Sequence, residues 1–202
     1  MTKRNSESLC PDILLKNISK SYPGKTVLQN LNQTFLSGHA YCIMAPSGTG
    51  KTTLLRILCG LEKPDCGQIT GTEHLRFSVV FQEDRLLEGL SAIENIRFSA
   101  GKNIAAEEVQ KLIKDFLSET DFKKSVSEYS GGMCRKVCLL RALLTPSDML
   151  LLDEPFSGLD EDSRKKAVAL IQKYRNGRTL FVSTHDSRDA ARLDAEIISL
   201  IS

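Results

Sequence analysis

The sequence predicts an α/β fold: a mainly parallel central sheet, an N-terminal antiparallel β-subdomain ahead of it and an inserted helical subdomain. Three observations carry this. Short apolar runs such as Met149-Leu150-Leu151-Leu152 and Leu180-Phe181-Val182 read as strands buried on both faces, the habit of parallel sheets. Ala40-Tyr41-Cys42-Ile43-Met44 leads into a glycine-rich turn and then a helix-like run, Thr53-Leu54-Leu55-Arg56-Ile57-Leu58. Residues 84–145 hold helical periods and no clear strand.

Taken in order, the chain opens on polar Met1-Thr2-Lys3-Arg4-Asn5-Ser6-Glu7-Ser8, which lacks the apolar core of a signal peptide and is expected to be a disordered lead-in. Ile13 to Tyr22 reads as a strand, closed by the turn signal Pro23-Gly24. Residues 27–36 alternate loosely, with Leu31 and Phe35 apolar, and form its expected antiparallel partner. Tyr22, read alone, is either a half-buried sheet aromatic or a ring placed to stack on a nucleobase.

Next comes Ala45-Pro46-Ser47-Gly48-Thr49-Gly50-Lys51-Thr52-Thr53, between strand and helix, which is the context of a P-loop NTPase core. Gly48 and Gly50 let the backbone curl and aim its N–H groups inward. The helix start adds its positive dipole end. Lys51 would set an ammonium against the outer phosphates, and Thr52 would offer a hydroxyl to Mg²⁺. The usual pattern, G-x-x-x-x-G-K-[ST], opens on glycine, whereas this loop opens on Ala45. Pro46 pushes Ala45 to extended geometry with negative φ, which alanine adopts without strain.

A connection through Pro64 and Gly67 leads to a strand near Ile69, and Phe77-Ser78-Val79-Val80-Phe81 is another, ending at Gln82. A glutamine there can reach a metal or a water, or be an ordinary loop amide. Ser91 and Glu94 make a capping box that opens a short helix to Phe98, ended by Gly101-Lys102-Asn103. Val109, Leu112, Ile113, Phe116 and Leu117 recur at helical spacing. Tyr129-Ser130-Gly131-Gly132-Met133 then precedes an apolar helix that stops before Pro146. Such a turn is a helix N-cap or a second anion site. The run from Met149 ends in Asp153 and Glu154, carboxylates where open α/β sheets bind ligands. Asp153 suits a Mg²⁺ ligand and Glu154 a base that orients or deprotonates water. Asp160 is placed to cap a helix bearing Ala167, Leu170, Ile171 and Tyr174, with Gly177 beyond it. A strand from Thr179 then ends at His185; Asp186 opens a last short helix, and residues 195–201 form a closing strand. Four strand ends therefore carry Lys51, Gln82, Asp153 with Glu154, and His185, and convergence on one site is expected.

The chain of 202 residues is expected to form a single domain, with the helical subdomain over about 84–145. Its net charge of +2 is too small to argue for nucleic acid, and no apolar run could span a bilayer. Cys10, Cys42, Cys59, Cys66, Cys134 and Cys138 show no C-x-x-C spacing; most lie in apolar runs and read as buried thiols of a reducing cytosol. Cys134 and Cys138 lie one helical turn apart but lack two further ligands for a metal.

The ordered set from Tyr22 to His185 resembles the ATP-binding cassette (ABC) ATPases, the nucleotide-binding subunits of ABC transporters. Ala45 to Thr52 is similar to Walker A, Gln82 to the Q-loop, Ser130-Gly131-Gly132 to the family signature, Asp153 and Glu154 to Walker B and its catalytic glutamate, Asp160 to the D-loop, and His185 to the switch histidine. Tyr22 fits the adenine-stacking aromatic. Tyr129 and Met133 depart from the usual Leu-Ser-Gly-Gly-Gln, which puts contacts to the sugar in question. The resemblance implies two cassettes closing head to tail on two ATP molecules with Mg²⁺, each ATP between one subunit's Walker A and the other's Ser130-Gly131-Gly132. It implies a separate transmembrane permease as partner, with a solute-binding protein as a further one, and a place on the cytoplasmic face of the membrane. Gln82-Glu83-Asp84-Arg85-Leu86-Leu87 is most similar to importers of the nitrate, sulfonate and taurine type. The alternative is a soluble ABC ATPase acting on nucleic acid or ribosomes; such relatives usually carry two cassettes or long coiled-coil inserts, and this chain has neither. The chain ends soon after its last expected strand, so no C-terminal regulatory domain is expected.

Overall fold

The computed structural model describes residues 10–101, 104–122 and 124–200. The expected lead-in over residues 1–8, the Lys102-Asn103 part of the helix break and Ile201 of the closing strand lie outside the described residues.

Strands β1 (Ile13–Tyr22) and β2 (Lys25–Phe35) form a hairpin, with Tyr22 paired to Lys25 and Ile13 to Phe35. Pro23 and Gly24 make the tight connection, and Gly24 supplies the positive φ of 76°. The hairpin is joined by β4 (Cys66–Thr70), giving a three-stranded antiparallel sheet in the order β2-β1-β4.

The second sheet is parallel throughout. It contains β3 (Ala40–Met44), β5 (Phe77–Val80), β6 (Met149–Asp153), β7 (Thr179–Ser183) and β8 (Glu196–Ser199), in the order β5-β6-β7-β3-β8. Every residue of β6 and β7 is buried, which explains their unbroken apolar composition. Alternate side chains serve two cores. Met149, Leu151, Phe181, Tyr41 and Ile43 pack with α1 (Lys51–Leu58) and the antiparallel sheet. Leu150, Leu152, Leu180 and Val182 pack on the other face with α4 (Gly131–Leu144) and α5 (Glu161–Tyr174), where the helices of the insertion also gather.

Between β5 and β6 lie α2 (Ala92–Ala100), α3 (Ala106–Ile113), a 3₁₀ turn at Val126–Glu128 and α4, with no strand among the described residues. The capping box is formed: the Glu94 amide donates to Ser91 Oγ, and Glu94 Oε2 accepts from the Ser91 amide at 2.8 Å. The amphipathic period overran its helix. Phe116 and Leu117 are buried as expected but sit past the end of α3, where both their amides donate to the Ile113 carbonyl. Periodicity reports burial, and a tight turn can bury a side chain as well as another helical turn can. In the other direction, α4 starts at Gly131, ahead of the apolar run, because Ser130 caps it by accepting from the Met133 amide. The last helix, α6 (Ser187–Arg192), is capped by Asp186.

The cysteine expectation needs correction. Only Cys42 and Cys138 are buried; Cys10, Cys59 and Cys134 are half-buried, and Cys66 is exposed at the start of β4, whose outer face is open. Burial pushes the Cys42 and Cys138 thiols up to about 12. Since the thiolate is the nucleophile, alkylation of native protein at neutral pH should label Cys66 and spare Cys42 and Cys138 until denaturant is added. Mass spectrometry reads this directly, and prompt native labelling of Cys42 would contradict the packing of β3.

Candidate active site

A cleft of about 280 Å³ opens at the C-terminal ends of β3 and β6, lined by Tyr22, Val27, Ser47, Gly48, Gly50, Lys51, Thr52, Thr53, Gln82, Asp153 and Glu154. A larger hollow of about 540 Å³ lies beside Gly38, His39, Arg175 and Glu196 and holds none of the expected site residues. The smaller one is where Lys51, Thr52, Gln82, Asp153 and Glu154 meet.

The loop from Ala45 to Gly50 owes its curl to specific constraints. Gly50 caps α1 at a φ of 99°, and a Cβ there would stand 2.6 Å from the Val27 carbonyl oxygen. No other residue fits. Thr49 Oγ1 closes the turn on the Pro46 carbonyl at 2.6 Å. Ala45 is not among the residues with positive φ, so its replacement of glycine is conformationally neutral, as the following proline foretold. Helix α1 begins at Lys51, which presents its first unpaired amides to the loop. Lys51 is itself buried, and its Nζ donates to the Ala45 carbonyl at 2.7 Å and to the Pro46 carbonyl at 3.3 Å.

Asp153 ties the helix to the sheet. It is 2 % exposed. Oδ2 accepts from Thr52 Oγ1 at 2.7 Å, and Oδ1 accepts from Ser183 Oγ at 2.5 Å. Ser183 stands beside Asp153 in the parallel register of β6 and β7. The next residue, Glu154, has a φ of 47°, a strained value for a non-glycine, and its amide donates to Ser183 Oγ at 2.9 Å. This turn sends the carboxylate back over the cleft. Its Oε1 lies 3.9 Å from Lys51 Nζ and its Oε2 lies 3.2 Å from His185 Nδ1. His185 is 77 % exposed on its side chain, so it lids Glu154 from the solvent side.

The remaining expected residues divide. Tyr22 stands at the rim, 41 % exposed, its hydroxyl donating to Glu62 Oε1 at 2.5 Å and lying 3.4 Å from Thr53 Oγ1. The ring is held by its tip, leaving it available at the mouth of the cleft. Gln82 lines the cleft where β5 ends. Ser130, Gly131, Gly132 and Asp160 do not line it. They lie at the starts of α4 and α5, where Asp160 accepts from the Ser163 amide at 2.8 Å and from its hydroxyl at 2.9 Å. Those bonds hold the Asp160 carboxyl below the usual carboxylate range. A Cβ on Gly132 would come within 2.9 Å of the Gly158 carbonyl oxygen, so the two turns abut.

Four residues escaped the sequence reading. Ser183 could have been found as the hydroxyl ending the strand next to Asp153. Arg164 gave no signal: it reaches from α5 to Asp186 Oδ2 at 3.0 Å and Asp189 Oδ2 at 2.8 Å, bracing the segment after His185. Thr184 Oγ1 donates to the same Asp189 oxygen at 2.8 Å. Arg135 from α4 donates to the Phe81 and Gln82 carbonyls at 2.6 and 2.5 Å.

Among the described residues no three or more His, Cys, Asp and Glu side chains are grouped so that they could hold a metal ion. The donors that do converge, a threonine hydroxyl, one carboxylate and a nearby amide, are hard oxygens and suit Mg²⁺, which keeps waters and phosphates in its remaining positions.

Residues 28–157 match the family model described as "ABC transporter". The chain is 36% identical over 200 residues to the spermidine/putrescine import ATP-binding protein PotA of Spiroplasma citri, covering 91% of this chain and 57% of that one. It is 36% identical over 202 residues to the aliphatic sulfonates import ATP-binding protein SsuB of Corynebacterium glutamicum, covering 96% of this chain and 82% of the relative. Thus it spans little more than half of the first relative's length. Among solved structures, the dimeric bacterial ABC transporter cassette MJ0796 superposes with a TM-score of 0.79 at 30% identity, over 93% of this chain and 94% of that one. The same cassette in a post-hydrolysis state with ADP and Pi gives a TM-score of 0.80 at 29% identity, over the same shares. The loop, the acidic strand end and the histidine thus stand in a chain that belongs to the ABC transporter family.

Proposed function

We propose that the chain is the ATP-hydrolysing subunit of an ABC transporter, binding Mg-ATP at the interface of a head-to-tail cassette dimer and driving solute through a separate membrane permease. The observation that carries this is the convergence of Lys51, Thr52, Gln82, Asp153, Glu154 and His185 on one cleft while Ser130, Gly131, Gly132 and Asp160 stay outside it. A site with its base and phosphate loop in one place and its second anion turn in another calls for a second copy to complete it.

In this reading residues 84–145 are the helical subdomain of a single cassette. Tyr22 stacks on the base. Ser47 to Thr53 wrap the phosphates, and Lys51 exchanges the carbonyls of Ala45 and Pro46 for phosphate oxygens. Thr52, Asp153 and Gln82 would hold Mg²⁺, which when bound offsets phosphate charge. Glu154 orients the attacking water and takes its proton, and His185 holds the Glu154 carboxylate and the terminal phosphate in register. Ser130-Gly131-Gly132 and Asp160 complete the partner's site. Equal identity to import subunits for polyamines and for sulfonates supports import. No described helix is long and apolar enough to cross a membrane, so contact with the bilayer is assigned to the permease, on its cytoplasmic face, with a solute-binding protein on the far side.

Glu154→Gln should leave ATP binding intact and slow phosphate release by roughly 10²-fold or more, the scale of a lost general base; turnover at the wild-type rate would remove Glu154 from this role. Lys51→Ala should weaken nucleotide binding by about tenfold or more, since a charge-assisted bond to phosphate is lost, and a fluorescent-nucleotide titration at wild-type affinity would refute it. ATP added to the Glu154→Gln protein should double the sedimenting mass, whereas a species that stays monomeric at saturating ATP would count against the head-to-tail pair.

A further inference from the structure

Five residues beyond the Ser130 cap, α4 sends Arg135 into the protein. Only 6 % of it is exposed, a rare place for an arginine. Nη1 donates to the Phe81 carbonyl at 2.6 Å, Nη2 donates to the Gln82 carbonyl at 2.5 Å, and Nη1 lies 3.2 Å from Asp84 Oδ1. Further along the same helix, Arg141 Nη1 donates to the Arg85 carbonyl at 2.6 Å. These carbonyls belong to a segment that has just left the sheet: β5 ends at Val80. Its internal bonds are short-range turns, Arg85 amide to Glu83 carbonyl and Leu86 amide to Asp84 carbonyl. Its shape is therefore set from outside, by α4.

We propose that Arg135 is the positioning residue for Gln82, an inference that rests on reading the cleft as an ATPase site. The planar guanidinium suits the task because two of its N–H groups diverge at a fixed angle and meet two successive carbonyls at once. Asp84 supplies the counter-charge that makes burial affordable. Attachment of α4 to the sheet does not need this contact. Ser78 Oγ donates to the Ala142 carbonyl at 2.8 Å, and Val137, Leu139 and Leu140 pack in the same core as Leu150 and Leu152. What Arg135 adds is the backbone of Gln82, whose side chain shares the cleft with Thr52, Asp153 and Glu154. Because α4 also begins at the Ser-Gly-Gly turn, a displacement of that turn by the partner's nucleotide is delivered to Gln82 through one side chain.

Arg135→Lys tests this, since a lysine keeps a cation beside Asp84 but loses the rigid two-nitrogen fork whose Nη1 and Nη2 each take one carbonyl. In the nucleotide-free protein, amide exchange over residues 82–86 should rise about tenfold while that of β6 stays put, the mark of a local opening; unchanged exchange overturns the proposal. In ATPase assays, Arg135→Lys should lower kcat roughly tenfold with KM for ATP within about twofold, as expected of a misplaced catalytic group. Combined with Gln82→Ala, it should cost less than about twofold more, because the two act through one path. An additive double variant, or an unaltered kcat, overturns the proposal while leaving the ATPase reading intact. Wild-type protein that hydrolyses no ATP overturns both. Should Arg135→Lys fail to fold on thermal melting, Asp84→Asn enters the same cycle, where coupling to Gln82 is again expected and additivity again overturns the inference.

Discussion

The carboxylate of Asp153 is the interaction on which the rest of the site depends. It is removed from water, and an ionised carboxylate there costs several kcal/mol unless its oxygens are matched. Each oxygen has one donor, and the donors come from different elements: Thr52 from α1 and Ser183 from β7. Satisfying Asp153 therefore fixes the first turn of α1 against the ends of β6 and β7. The loop from Ala45 to Gly50 cannot shift against the sheet without exposing or orphaning this charge. The same serine then accepts the Glu154 amide and helps hold that residue at its positive φ. One buried carboxylate thus sets both the loop and the Glu154 turn beside it.

Around that fixed point the charges of Lys51 and Glu154 rest on partners that an incoming anion could replace. Lys51 is buried but not idle: its ammonium sits on two carbonyls of its own loop, with Glu154 at 3.9 Å. Carbonyl partners keep the amine satisfied at modest cost, and an incoming anion offers stronger, charge-assisted bonds. Glu154 stands between a lysine and an exposed histidine, so its carboxylate is aimed by contacts on both sides. The braces behind are of another kind. Arg164 binds Asp186 and the fully buried Asp189, holding the segment that carries His185 against α5. The front of the site can trade partners because the back cannot.

Much of this was legible in the sequence, for physical reasons. The β6 and β7 strands were readable because a central parallel strand must be apolar on both faces. The loop was readable because Gly50 meets a backbone oxygen that excludes any side chain. Ser91 and Asp160 announced their helices because caps are chemically specific. What stayed hidden were contacts from side chain to distant backbone. Arg135 and Gln82 lie 53 residues apart, and nothing local marks an arginine that will meet two carbonyls across that gap. Arg164 reads as one more charge on a helix rich in them. The α3 boundary failed where apolar spacing continued past the helix into a turn that buries the same residues.

The two glycines of the Ser-Gly-Gly turn make the last step. Glycine in a helix costs roughly 0.5–1 kcal/mol relative to alanine, so each needs a reason. Gly132 has one inside the chain, because a Cβ there would press on the Gly158 carbonyl and push α4 away from the turn that ends at Asp160. Gly131 has none: a Cβ would meet no atom within 4 Å, and its φ is not positive. Neither packing nor backbone conformation within this chain asks for glycine at Gly131. In the proposed reading the reason is close approach by a ligand the chain does not itself provide, at the first turn of α4, where helix amides lack intrahelical partners. A phosphate held by a second copy's Lys51 loop would account for it, and it would place the demand for Gly131 on the neighbouring subunit's nucleotide while leaving Gly132 to the fold.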